Sequence, residues 1–284
     1  MKPAPFRYHA PRSTDEAVAL LAEVAPNDGR VLAGGQSLVP MMALRLARPG
    51  DLIDINSIPD LARLVAGRDG LTIGACVRHA DFHRPVTEGP LGVLLSEVAA
   101  HIGHYPVRTR GTFCGSLAHA DPASEWCLVA ATLGAQMRAQ SVRGVRNLDV
   151  ADFFRGIMST ALTPEELLTE VHLPLLSAES VFGFCEFSRR AGDYALAAAL
   201  VVYRLEKGTI AEARFALGGA EALPRRIVEA EAVLNGARPD AVTFREAAHA
   251  AAAAIDPIAD AQVSADFRRT LVRAVAERAL ARAV

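Results

Sequence analysis

Two adjacent glycines, Gly34 and Gly35, constrain this chain more than any other feature. They lie in Ala33-Gly34-Gly35-Gln36-Ser37, between a β-type run, Arg30–Leu32, and a second apolar segment, Leu38–Leu46. Another β-type run, Leu52-Ile53-Asp54-Ile55, follows, so the first fifty-odd residues spell β-α-β around a glycine loop. Glycine lets backbone N–H groups approach a ligand closely, and consecutive amides at such a turn form a nest for an anion such as a pyrophosphate. The same pair would also mark a plain tight turn.

A second loop, Gly111-Thr112-Phe113-Cys114-Gly115-Ser116, joins glycine, hydroxyls and backbone donors ahead of Asp121-Pro122. That dipeptide predicts an N-cap with proline at the first helical position, opening a helix that runs to Leu133 and stops at Gly134. Neither loop fits Gly-x-Gly-x-x-Gly or the Walker spacing, which argues against a Rossmann or P-loop site. Together the loops point to a phosphate-bearing cofactor without naming it.

The rest of the chain interleaves helices and strands. Ser13-Thr14-Asp15-Glu16 reads as a capping box opening a helix to about Val24. Leu61–Ala66 and Leu71–Cys76 flank Asp69-Gly70, a hairpin signal that asks for positive φ at the glycine. Gly92–Ile102 has helical spacing, and further strands are expected at Glu166–Leu173, Gly183–Arg189, Leu196–Leu205 and Thr209–Leu217, with Lys207-Gly208 turning the last pair. From Arg226 onward the pattern is helical: one helix to Asn235-Gly236, one from Pro239 through Ala247–Ala254, and one from Ser264 to the end. Soft boundaries near Asn56–Pro59 and Pro174–Ser180 divide the chain into 1–57, 58–176 and 177–284.

Composition narrows the class. The 284 residues carry 30 Lys plus Arg against 32 Asp plus Glu, a net charge of −2, with 51% hydrophobic residues. A nucleic-acid grip and disorder are both disfavoured. No apolar run approaches the roughly 18–20 residues that cross a bilayer. The N-terminal Met1-Lys2-Pro3-Ala4-Pro5-Phe6 has no signal-peptide core, so a cytoplasmic location is expected. Cys76, Cys114, Cys127 and Cys185 form no Cys-x-x-Cys pair and the eight histidines form no ligand pair, so no metal is expected.

Ala33–Met42, continued by Leu44-Arg45 and Leu52–Ile55, closely resembles the first flavin motif of the FAD-binding medium subunits of molybdenum hydroxylases, the carbon monoxide dehydrogenase and xanthine dehydrogenase family. Val107–Ala123 resembles the second motif of that family, Ser188–Ala195 a third signature, and Leu167–Pro174 the strand that precedes it. The resemblance covers essentially the whole chain. It implies an α+β fold: a two-part FAD-binding domain of the vanillyl-alcohol-oxidase/PCMH type, then a small domain of antiparallel strands and C-terminal helices.

It also implies roles. Ala33, Gly34, Gly35, Gln36 and Ser37 would wrap the pyrophosphate of a non-covalent FAD, Thr112, Gly115 and Ser116 would hold the phosphates from the other side, and Leu32, Leu38 and Cys114 count with them among the cofactor-binding residues. Glu125 would stand near the adenosine ribose, Ile102 and Leu168 would pack on the cofactor, and Tyr194 would stack on the isoalloxazine ring. Gln36 replaces a histidine common in the first motif. Cys114 replaces a glycine common in the second, where a Cβ obstructs positive φ or close ligand approach.

The implied activity is that of an electron-transfer oxidoreductase subunit with no catalytic residue of its own for substrate turnover. Electrons would come from [2Fe–2S] clusters on a small subunit, after hydroxylation on a large molybdopterin subunit, and leave to NAD, oxygen or a quinone. The assembly would be a dimer of heterotrimers. Arg108, Arg110, Arg189 and Arg190 beside the motifs are candidates for pairing with a partner, the alternative being that they bind cofactor phosphate or are merely solvated. The competing readings are an autonomous flavin oxidase and a cofactor-free assembly subunit, the latter suggested by Cys114.

Overall fold

The structure, a computed structural model, describes residues 2–283. The N-terminal unit is a three-stranded parallel sheet, with β1 (Arg7–His9), α1 (Thr14–Val24), β2 (Arg30–Leu32), α2 (Leu38–Ala43) and β3 (Asp51–Asp54) in strand order β1-β3-β2. Ser13 caps α1 by accepting from the Glu16 amide at 3.1 Å. Glu16 reaches back to the Arg12 amide at 2.8 Å instead of that of Ser13, so the expected capping box is offset by one residue.

The middle of the chain builds a five-stranded antiparallel sheet. Its elements are β4 (Leu64–Ala66), β5 (Gly70–Gly74), α3 (Pro90–His101), α4 (Tyr105–Arg108), α5 (Phe113–His119), α6 (Glu125–Leu133), β6 (Gln136–Ser141), β7 (Gly144–Asp149), α7 (Val150–Phe153), the small pair β8 (Phe154–Gly156) and β9 (Ser159–Thr160), and β10 (Leu167–Pro174). The strand order is β4-β5-β10-β6-β7. The β4–β5 hairpin forms, yet none of Gly67, Arg68, Asp69 and Gly70 takes positive φ. Gly70 is required for space, because a Cβ there would run into the Leu173 carbonyl and the His172 ring.

Helix α6 begins at Glu125, later than Asp121-Pro122 suggested. The Asp121 carboxylate and carbonyl instead accept from the Ala123 and Ser124 amides at 2.9 and 3.0 Å, closing a separate turn before the helix. As expected, the helix ends at Gly134 in the left-handed conformation (φ 74°).

The C-terminal unit is an antiparallel sheet, β11 (Ser180–Phe187), β12 (Ala197–Glu206), β13 (Thr209–Gly218) and β14 (Arg225–Arg226), followed by α8 (Val228–Leu234), α9 (Ala241–Ala254) and α10 (Ala265–Arg282). Lys207 and Gly208 turn β12 into β13 with φ of 51° and 83°, the primed turn that matches strand twist. Strand β14 takes up Arg225 and Arg226, so α8 starts two residues later than its periodicity suggested.

Strand β12 explains how the units cohere. Ala197, Ala199, Val201 and Tyr203 face the cluster built with α8, α9 and α10, while Ala198, Leu200 and Val202 join the cluster of the preceding units. Its near-continuous apolar run therefore reflects burial on both faces. The cluster of the preceding units has an aromatic centre, in which Phe82, Phe113 and Trp126 are fully buried with ring centroids 4.8–5.7 Å apart. Phe113 is the first residue of α5, so this cluster seats the second glycine loop. Truncating such a phenylalanine to alanine costs about 3–5 kcal/mol.

Candidate functional site

The two glycine loops meet in one cleft of ≈ 270 Å³ between the N-terminal and middle units. In the first loop Gly35 has φ 72°, a conformation that strains any L side chain. This reversal turns β2 into α2 and leaves the amides of Gly34, Gly35, Gln36, Ser37 and Leu38 with no acceptor among the described residues. Five neighbouring N–H groups without protein partners form a cradle for an anion. The Gln36 side chain folds back to donate to the Gly34 carbonyl at 3.3 Å, so this departure from the family motif leaves the amides clear.

In the second loop Thr112 caps α5, its Oγ1 accepting from the Gly115 amide at 3.1 Å. Gly115 must lack a Cβ because one would press on that hydroxyl. Cys114 sits in the first turn of α5 with negative φ, and its Sγ donates to the Ile73 carbonyl at 3.4 Å in the core. The substitution for glycine therefore costs the cleft nothing, and burial holds the thiol far above its ordinary range.

The loops are also bolted to each other. A Cβ on Gly34 would overlap the Arg110 carbonyl and lie 2.6 Å from Gly111 Cα. Asn56 donates to the Ala33 carbonyl at 2.8 Å and accepts from Arg78 Nη2 at 2.6 Å, while Arg78 Nη1 reaches the Arg110 carbonyl at 2.5 Å. A polar chain from Ala33 through Asn56 and Arg78 to Arg110 thus fixes the spacing of the two walls.

Twelve of the fifteen residues singled out from sequence line this cleft: Leu32, Ala33, Gly34, Gly35, Gln36, Ser37, Leu38, Thr112, Cys114, Gly115, Ser116 and Leu168. Ile102, Glu125 and Tyr194 do not. Ile102 ends α3 as a buried residue. Tyr194 is 65% exposed. Its phenol is raised by partial desolvation, then by the Asp121 and Glu125 carboxylates, and lowered by the Ser37 side chain, so these groups lie near it. Burial, then the neighbouring Glu186 carboxylate, raises the Glu125 carboxyl to about 8, so it is protonated at neutral pH. The Glu125 carboxyl stands close enough to act on the Tyr194 phenol.

Sequence reasoning missed several residues of the cleft. Leu162 and Leu167 add apolar wall, and Glu166 adds a carboxylate. Burial raises the Glu166 carboxyl, but two bonds from Arg146 at 2.6 and 2.8 Å and one from the Thr163 amide outweigh it and keep it ionised. His79 is the most informative omission. Nothing in Val77-Arg78-His79-Ala80 signals a site, because its place depends on pairing with a loop more than thirty residues later. The His79 amide donates to the Gly111 carbonyl at 3.0 Å. Its Nδ1 accepts from Trp126 Nε1 at 2.9 Å.

Among the described residues no cysteine is poised as a nucleophile. All four cysteines are buried free thiols, with burial pushing Cys76 up to about 11 and Cys127 up to about 12. Among the described residues no group of three or more His, Cys, Asp or Glu could hold a metal ion. The arrangement is one that binds and orients a phosphate-bearing molecule.

Comparison with known proteins agrees. Residues 4–176 match the family described as the FAD binding domain in molybdopterin dehydrogenase, and residues 182–283 match the CO dehydrogenase flavoprotein C-terminal domain. The chain is 38% identical to the nicotine 6-hydroxylase medium subunit of Paenarthrobacter nicotinovorans, covering 100% of this chain and 99% of that protein. It is 34% identical to the carbon monoxide dehydrogenase medium chain of Hydrogenophaga pseudoflava, covering 99% and 97%. Among solved structures, the carbon monoxide dehydrogenase of Hydrogenophaga pseudoflava superposes with a TM-score of 0.95 at 36% identity, covering 100% of this chain and 98% of the other. Quinoline 2-oxidoreductase from Pseudomonas putida 86 gives 0.93 at 36% identity, covering 100% and 98%. On motifs, fold and full-length similarity, the chain belongs to the FAD-binding medium subunits of the molybdenum hydroxylases.

Proposed function

We propose that the chain is the FAD-carrying electron-transfer subunit of a molybdenum-containing hydroxylase. It would receive electrons from [2Fe–2S] clusters on a small subunit, after hydroxylation on a large molybdopterin subunit, and pass them to an external acceptor. The observation that carries this reading is the row of unpartnered amides from Gly34 to Leu38 facing the capped loop at Thr112. When bound, FAD supplies the redox chemistry, so the protein's part is anchoring, orientation and exclusion of water.

The amides of Gly34–Leu38 hold the pyrophosphate, and Thr112, Gly115 and Ser116 close on it from the opposite wall. Leu32, Ala33 and Leu168 supply apolar packing from the cleft wall. Tyr194 would stack on the ring, and Glu125 would stand near the adenosine ribose, the roles the family resemblance gives them. With its side chain in the core, Cys114 gives no support to a cofactor-free chain. Binding is read as non-covalent: no His or Cys lies in a recognised tethering context, and burial keeps the Cys76, Cys114 and Cys127 thiols protonated.

The names of the relatives speak of nicotine, caffeine, carbon monoxide and quinoline. One medium-subunit fold serves such different substrates if recognition lies on another subunit, and this chain is read the same way. Its partners are a large and a small subunit, assembled as a dimer of heterotrimers, in the cytoplasm. No helix among the described residues is long and apolar enough to cross a membrane. The units 1–57, 58–176 and 177–284 each carry one main sheet, which supports dividing the chain there.

The test is a comparison of the isolated chain with the reconstituted complex. The chain alone should bind FAD and show no substrate-dependent reduction of it, and the complex should bleach the flavin band on adding substrate. If the isolated chain reduces its own flavin with the substrate of the complex, the autonomous oxidase takes the place of this reading.

A further inference from the structure

His79 stands on the boundary between the aromatic core and the cleft. The residue is 4% exposed, its ring lines the cleft, and a Cβ on Gly111 would strike its Nε2. The Trp126 indole N–H donates to Nδ1, and an acceptor nitrogen carries no proton, so the ring proton resides on Nε2. Trp126 is itself immobilised between Phe82 and Phe113. The tautomer is therefore set by the core.

That proton has no acceptor among the described residues, yet Nε2 is not sealed in the interior. It opens on the cleft where Gly111 touches Gly34, the first of the five unpartnered amides. Burial first, then the Arg78 and Arg108 guanidinium groups, lowers the imidazole to about 4, so near neutral pH it enters the cleft as an uncharged donor.

We infer that His79 is a binding residue of the cofactor site, donating its Nε2–H to a phosphate oxygen of the FAD pyrophosphate in a tautomer fixed by Trp126. The inference rests on the FAD reading and adds to the backbone nest a side-chain donor that no loop motif contains. A neutral imidazole suits the position because it adds a directed N–H without a charge that would have to be buried when the cleft is free of ligand.

The test uses the full-length chain stripped of flavin, titrated calorimetrically with FAD and with ADP, which carries the pyrophosphate without the flavin. His79→Phe keeps the ring bulk and deletes the donor, and it should weaken both ligands by tenfold or more. His79→Gln restores an N–H and should recover most of that loss. In nitrogen-15 spectra of the wild-type chain, the Nε2 resonance should move on adding ADP while Nδ1, held by Trp126, stays in place. A purely structural histidine would leave that resonance unmoved. Unchanged ADP and FAD affinity in His79→Phe, or a silent Nε2 resonance, overturns the inference and leaves the FAD reading intact. A wild-type chain that binds neither ligand sinks both. Should His79→Phe fail to fold, the glutamine variant and the spectra decide.

Discussion

Gly34 and Gly111, far apart in sequence, are packed backbone to backbone, with space for a Cβ on neither. The cleft is thus a fixed gap between two loops, and its width depends on Gly34 carrying a hydrogen where a Cβ would meet the opposite backbone. Gly34→Ala forces the walls apart, because a methyl group would lie 2.6 Å from Gly111 Cα and closer still to the Arg110 carbonyl. The variant should purify without flavin while its far-UV circular dichroism matches wild type. Gly35→Leu should do the same by a different route, since it strains a φ of 72° at about 1–2 kcal/mol and crowds Val39 and Leu32. Full flavin occupancy in both would reduce the loop to a turn.

The bridge through Asn56 and Arg78 makes a second expectation. The two side chains act in series between the Ala33 and Arg110 carbonyls, so removing either breaks the whole link. Asn56→Ala and Arg78→Ala should each weaken FAD by about tenfold, and the double variant should be no weaker than the worse single one. Additive losses would mean that the residues serve the cleft independently.

Stability should respond to pH through two buried groups with opposite slopes. His79 titrates at about 4 in the fold and near 6.5 when unfolded, so the unfolded chain holds the extra proton between those values. Its contribution, roughly 3 kcal/mol, is whole above pH 6.5 and is lost as pH falls toward 4. Glu125 keeps its proton to about 8 in the fold and loses it near 4.5 when unfolded, so its contribution is whole below pH 4.5 and is lost as pH rises toward 8. Thermal melts of the flavin-free chain should show His79→Gln flattening the acid limb. Glu125→Gln should raise the melting temperature more at pH 8 than at pH 5. Variants whose pH dependence matches wild type would mean that these groups are hydrated in solution.

Much of this was legible in the sequence because the decisive signals are local. A glycine pair after Arg30–Leu32, the Ser13 cap, the Lys207-Gly208 turn and the Ser264 cap each act within a few residues. What escaped reading depends on partners distant in the chain. Strand β7 is exposed along almost its whole length and shows no apolar alternation; it exists because β6 pairs with it. Helix α5 was read as loop because its cap, Thr112, lies inside a glycine-rich stretch. Gly70 looked like a turn glycine and is a space-making one, which depends on β10 lying alongside. His79 owes its place to Trp126 and Gly111, and no spacing within its own segment encodes either.

Partner binding separates arginines that the sequence put in one class. Arg108 is consumed by the fold: its Nε donates to His83 Nε2 at 2.9 Å, and its Nη1 donates to the Ile102 and Gly103 carbonyls, both at 2.9 Å, and to Ala100 at 3.3 Å. It caps the C-terminal end of α3, so reversing its charge would unravel that end instead of reporting on assembly. Arg189 and Arg190 are exposed, and their guanidinium groups have no carboxylate within reach among the described residues. Ser188, Ala191 and Gly192, which flank them in the chain, line a groove with Tyr105, 58% exposed, and arginine beside tyrosine is a composition enriched at protein interfaces. Arg189→Glu combined with Arg190→Glu should therefore lower recovery of the large and small subunits on co-purification by tenfold or more, with the flavin-to-protein ratio of the chain unchanged. The effect should shrink as salt rises, because exposed charges are screened over about 8 Å at physiological ionic strength. If assembly is untouched and flavin is lost, these arginines belong to the cofactor, and the surface that meets the partner lies elsewhere on the chain.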